Sequence, residues 1–171
     1  MPDLTDENTK AILCSDVWTW DPERRLTVNF NEDGTGQLLC SVEFSLLIAQ
    51  EFDWQTLSET VVQTPENAEP VNIAIAITLN GRDFTGPLPS RVKPALLEHA
   101  AFMRKEYQLR LEKGNFKVEG RTHFGYNPTY AYRLLWDESP YPPLEEWKSK
   151  GAARANRFWE RKDFYTGELE N

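Results

Sequence analysis

Gln50 stands in the middle of FSLLIAQEFDW, residues 44–54, where the alternate positions are otherwise large and apolar. Phe44, Leu46, Ile48, Phe52 and Trp54 share its face, so an amide is aimed at an otherwise greasy surface. Tyr107, Tyr130, Tyr132 and Thr122 are the few other polar groups that strand alternation sends the same way. An amide or a phenol in a dry pocket can donate to a carbonyl whose charge grows in a transition state. Gln50 and Tyr132 are therefore the candidate catalytic pair, and Phe52, Trp54, Ile75, Tyr107, Tyr130 and Trp136 the candidate substrate-binding residues. Two plainer readings stay open. A bulge within LLIAQ would turn Gln50 outward, and the Tyr130, Tyr132 and Trp136 stripe serves equally well as core.

Other chemistries find little footing. His99 and His123 are the only histidines and no H-x-H or H-E-x-x-H occurs, so no metal site is expected. Neither a G-x-G-x-x-G nor a Walker sequence is present to cradle a nucleotide, and no G-x-S-x-G presents a serine nucleophile. The expectation is a protein without a cofactor. Cys14 and Cys40 make no disulfide framework; neighbouring strands would let them pair, but reduced thiols fit a cytoplasmic chain better. A pI near 4.9 argues against nucleic-acid binding, which needs clustered Lys and Arg. Residues 1–70 carry 14 acids and 3 bases, residues 71–171 carry 13 acids and 16 bases, and the net charge is −8. The acidic half reads as a solvated surface.

The elements that would hold these groups are strands. Leu26, Val28 and Phe30 alternate with polar residues, NEDGTG turns the chain, and Leu38, Cys40, Val42 and Phe44 resume the period of two. Asp33-Gly34 between such runs is a hairpin signal, since glycine accepts the positive φ of the turn. VNIAIAITL puts Val71, Ile73, Ile75, Ile77 and Leu79 on one face. A short helix is predicted near Pro94, with Leu96, Leu97, Ala100, Ala101 and Arg104 at near-helical spacing. Tyr107, Leu109 and Leu111 precede KGN, Phe116 and Val118 follow it, and TYAYRLLW repeats the alternation. Residues 1–15 read as a flexible polar arm before a single domain, 16–171. After two prolines, a helical segment over 143–163, read as one helix or as two broken at Gly151, carries Leu144, Trp147, Ala155, Phe158 and Trp159, with six bases from Lys148 to Lys162. Such a helix packs on its own domain or meets an acidic partner or membrane surface.

No stretch reaches the roughly 20 apolar residues that a transmembrane helix needs, and the start lacks a secretory pattern; the compartment expected is cytoplasmic. About eight alternating strands predict a mainly-β, antiparallel, up-and-down barrel with a C-terminal helix. Over residues 16–136 the chain resembles the lipocalin-like (calycin) barrels. VWTW supplies the early tryptophans Trp18 and Trp20, LTVNFNEDGTGQL a strand leading into a DGTG turn, and EFDW an apolar-aromatic strand. The signal peptide, late-barrel arginine and disulfide context of secreted lipocalins are missing. The resemblance implies an internal pocket open at one end. Some fungal enzymes that cyclise polyketides by pericyclic reactions, including intramolecular Diels–Alder reactions, use lipocalin-like domains, and they supply an analogy of fold.

Together these readings predict a protein that binds a bulky hydrophobic small molecule inside the barrel. One version is a cofactor-independent cyclase or isomerase of secondary metabolism that acts by preorganising its substrate. Another is a non-catalytic intracellular carrier, and a third an interaction protein with a filled barrel and a working basic tail. A homodimer stays open.

Overall fold

The computed structural model describes residues 6–42, 45–61, 70–81, 97–122 and 124–170. Eight antiparallel strands follow one another in sequence order round a closed ring. They are β1 (Trp18–Thr19), β2 (Leu26–Phe30), β3 (Thr35–Val42), β4 (Ser45–Val61), β5 (Val71–Leu79), β6 (Lys105–Lys117), β7 (Thr129–Trp136) and β8 (Asp163–Glu168). One residue pair, Thr19 with Tyr165, joins the first strand to the last. The mainly-β, antiparallel expectation holds, with little helix around it.

Cross-strand partners share a face, so the alternation read in each strand becomes rows of apolar side chains inside the ring. Phe30, Gly36, Phe52 and Leu79 form one row; Ile73, Leu109 and Trp136 another; Val71, Leu111, Leu134 and Phe164 a third. All of these apolar groups are buried. Gly36 is small for a reason: a Cβ there would lie 2.3 Å from the Phe52 ring and 2.4 Å from the Asn29 carbonyl oxygen. The predicted hairpin turn is present. Gly34 takes φ +88°, and the Asp33 carboxylate accepts from the Thr35 amide at 2.9 Å and the Thr35 hydroxyl at 2.6 Å.

Two segments differ from the sequence reading. Where a polar arm was expected, Asp6–Leu13 form a helix, α1, whose last residue is buried. Its Leu13 carbonyl accepts the Trp18 indole N–H at 3.0 Å, which a buried tryptophan needs. The alternation on both sides of KGN belongs to one strand: β6 runs through it, with a register shift between Lys113 and Phe116 that absorbs Gly114 and Asn115. In place of one helix, or two broken at Gly151, the chain over 143–163 makes a 3-10 turn at Leu144–Glu146, a helix α2 at Lys150–Asn156 that contains Gly151, and a second 3-10 turn at Phe158–Glu160. It then enters β8, which the sequence reading did not expect. Arg157, at φ 52°, stops α2 after two turns. Near the predicted helix at Pro94, residues 82–96 lie outside the described residues, while His99–Phe102 make a 3-10 turn.

Cys14 and Cys40 are free thiols. Among the described residues no helix is long and apolar enough to cross a membrane.

Candidate functional site

The bulge weighed for LLIAQ exists, yet it leaves Gln50 on the inner face. Cys40 stands opposite Ile48 but Ser41 opposite Leu46, so Leu47 is the extra residue. The shift falls before Ile48, and beyond it Gln50 pairs with Leu38 and Phe52 with Gly36, inside the ring. The Gln50 Oε1 is buried and has no hydrogen-bond partner among the described residues. A second interior group is in the same position, the Trp136 Nε1. An unmade bond of this kind costs about 1–3 kcal/mol, so two within one apolar interior are a costly departure.

Most predicted substrate-binding residues meet there. Phe30 holds the Phe52 ring edge-on at 5.8 Å and the Trp54 ring at 5.0 Å, and stacks on Trp136 at 6.3 Å. Trp136 in turn meets Tyr107 at 5.3 Å and Phe164 at 6.2 Å. Ile75 lies directly across from Tyr107 and is fully buried. Burial, seconded by the negative charges of Glu146, Glu138 and Asp137, pushes the Tyr107 phenol well above its usual range. That phenol stays protonated at neutral pH. It can donate but cannot serve as a base.

Tyr130 is placed apart from this group, while Tyr132 packs against its edge. Tyr130 packs with Val118 and Tyr165 in a separate cluster, 5.7 Å from the Tyr165 ring. Tyr132, half-buried, faces Lys113 on one side and Thr166 on the other. Gln50 on β4 and Tyr132 on β7 are not on neighbouring strands, and no hydrogen bond joins them. Thr122, expected to reach inward, donates instead to Glu23 at 2.8 Å. Phe44 and His123 lie outside the described residues, and His99 is exposed.

The connection from β7 to β8 contributes to this interior. Tyr141 is buried there, with its ring 6.2 Å from Phe164 and its hydroxyl donating to the Leu39 carbonyl at 2.7 Å. Its neighbours Pro140 and Pro142 close over Leu38, Phe52 and Tyr107, leaving a void of about 10 Å³. That is room for one water. A larger cavity, about 240 Å³, opens at the end of the ring beside Trp20, where Arg121 and Arg161 also stand.

Among the described residues no three of His, Cys, Asp and Glu gather as a ligand set. The group that sequence reasoning undervalued is the Trp136 indole N–H. Its alternation marked it as inward, but whether an acceptor would reach it depends on packing from four other strands. Comparison with protein-family models, with curated proteins and with solved structures finds no match to this chain.

Proposed function

We propose that the ring is a lipocalin-like barrel that takes a bulky, mostly apolar small molecule into its interior. The observation that carries this reading is the pair of unpartnered polar atoms, one acceptor on Gln50 and one donor on Trp136, in an interior that is otherwise aromatic and aliphatic. A ligand with one hydroxyl could donate to the Gln50 oxygen and accept from the Trp136 N–H while its body replaced the rings that now touch only one another. The 10 Å³ void is too small for such a guest, so entry requires the Ser139–Pro142 segment to withdraw from the interior. Tyr141 is held there by one short hydrogen bond and ring contacts, which a ligand of similar shape can replace.

The reading is tested by titrating the protein with a linear conjugated polyene alcohol, whose hydroxyl can donate to Gln50, while following tryptophan emission, since Trp54 and Trp136 face the interior. Saturable quenching is expected. Gln50→Leu should weaken it about tenfold, the worth of a buried hydrogen bond, while leaving the melting temperature intact. Quenching that never saturates, or that ignores the Gln50 substitution, overturns the reading.

A second reading, a cofactor-independent cyclase or isomerase such as a Diels–Alderase acting in the cytoplasm, is favoured by the free Trp136 donor. Polarising a carbonyl lowers the barrier of a pericyclic closure only if the donor is not already engaged. Holding the chain folded would add the larger share. Rate and product ratio of a linear polyene with and without protein decide between this enzyme and a carrier: equal values leave the carrier.

A further inference from the structure

We propose that the cavity beside Trp20 is a second binding site, for a small organic acid with an apolar body, whose carboxylate is held by Arg161. The cavity, about 240 Å³, is walled by the apolar Leu26, Val42 and Phe158 and by the Trp20 ring, with arginines at its polar side. That is below the volume typical of pockets for drug-sized ligands, about 300–1,000 Å³, and suits a smaller acid.

The arginines differ in what they already hold. Arg25 is paired with Glu23. Arg121 bonds Asp163 at 2.7 Å and the Trp20 carbonyl at 3.1 Å. Arg161 makes one hydrogen bond, to the Asn156 carbonyl at 3.1 Å, and no ion pair among the described residues. The two acids nearest in its surroundings are taken, Asp163 by Arg121 and Glu160 by Arg157. Asp21, on the same wall, spends its carboxylate on the Arg25 and Leu26 amides at 2.9 and 3.1 Å.

Arg161 is also pre-aimed. Its guanidinium carbon lies 4.3 Å from the centre of the Trp20 ring, and that of Arg121 lies at the same distance. Contact with the ring face restricts where the fork can lie before any ligand arrives. Burial and the like charge of Arg121 both work against holding Arg161 ionised, an expense that a bound anion removes. One unpaired fork matches one carboxylate in bidentate fashion. A phosphate dianion would meet Asp21 with no second free cation to offset it.

The test uses decanoate, decanol and inorganic phosphate as probes, followed by the indole N–H resonance of Trp20 and by calorimetry. Decanoate is expected to bind saturably and shift the Trp20 resonance. Decanol should bind at least about tenfold more weakly, since it cannot form the charge-assisted pair. Arg161→Leu should cost at least about tenfold in decanoate affinity and Arg161→Lys less, because the charge survives while the fork is lost. Thermal melts show whether each variant is folded, and the wild-type decanoate–decanol comparison stands if one is not. Equal binding of decanoate and decanol, unchanged binding to Arg161→Leu, or no saturable Trp20 shift would each overturn the site. A shift with phosphate alone that depends on Arg161 would overturn the carboxylate assignment.

Discussion

Gln50 and Gly36 sit on the same short stretch of sheet and show opposite ways in which one residue can be constrained. Gly36 is constrained by space. Gly36→Ala forces a methyl group into the Phe52 ring and the Asn29 carbonyl, so a loss of about 1–3 kcal/mol is expected in a urea melt, the range for overpacking. Gln50 is constrained by chemistry rather than shape. Without ligand, Gln50→Leu should leave the melting temperature unchanged or raise it, since an unpartnered amide oxygen is replaced by hydrocarbon. A clear drop would mean that the amide is satisfied in the folded protein. The inward aim of Gln50 was legible because alternation is a property of the strand itself. The isolation of its oxygen was not, because hydrogen-bond satisfaction is decided by whatever β3, β5 and the Pro140–Pro142 segment bring near it.

At the scale of elements, β2, β3, β5 and β7 could be read almost residue by residue from their alternation. In contrast, β4 is interrupted by two register shifts and runs on to Val61, past the stretch ending at Trp54 where the period of two is legible. The region after β7 could not be read that way. Its prolines, basic run and apolar residues at helix-like spacing describe a helix, yet the stretch divides into short turns before DFYTGE completes the ring. What decides this is tertiary. Phe164 fills the row begun by Val71, Leu111 and Leu134, and a strand there pairs with both β7 and β1. Tyr141 is the residue that ties the connection inward. Tyr141→Phe removes its bond to the Leu39 carbonyl and should cost about 1 kcal/mol. Tyr141→Ala should go further and speed polyene uptake in stopped-flow measurements. An unchanged uptake rate would place the entry route elsewhere.

For the molecule as a whole, several buried phenols set how the fold meets alkali. Burial, then the hydrogen bond and charge of Asp163, push Tyr165 to about 12, against the opposing charges of Arg121 and Arg133. Tyr107, Tyr130 and Tyr141 are also raised, each chiefly by burial. The folded state therefore keeps these protons after the unfolded chain has released them. Stability from this source is complete below the usual tyrosine value of 10.0 and drains away as pH climbs toward about 12. Denaturation midpoints should fall across that interval, and Tyr165→Phe should make the fall shallower. A flat profile would show that Tyr165 titrates normally.

The single Thr19–Tyr165 pairing carries one more consequence. A bracelet fastened by one link comes undone at that link, and the clasp here has a pin: Arg121 grips the Trp20 carbonyl on one side and the Asp163 carboxylate on the other. Amide hydrogen exchange at Thr19 and Tyr165 should outpace that of β4 and β5, and Arg121→Ala should widen the difference.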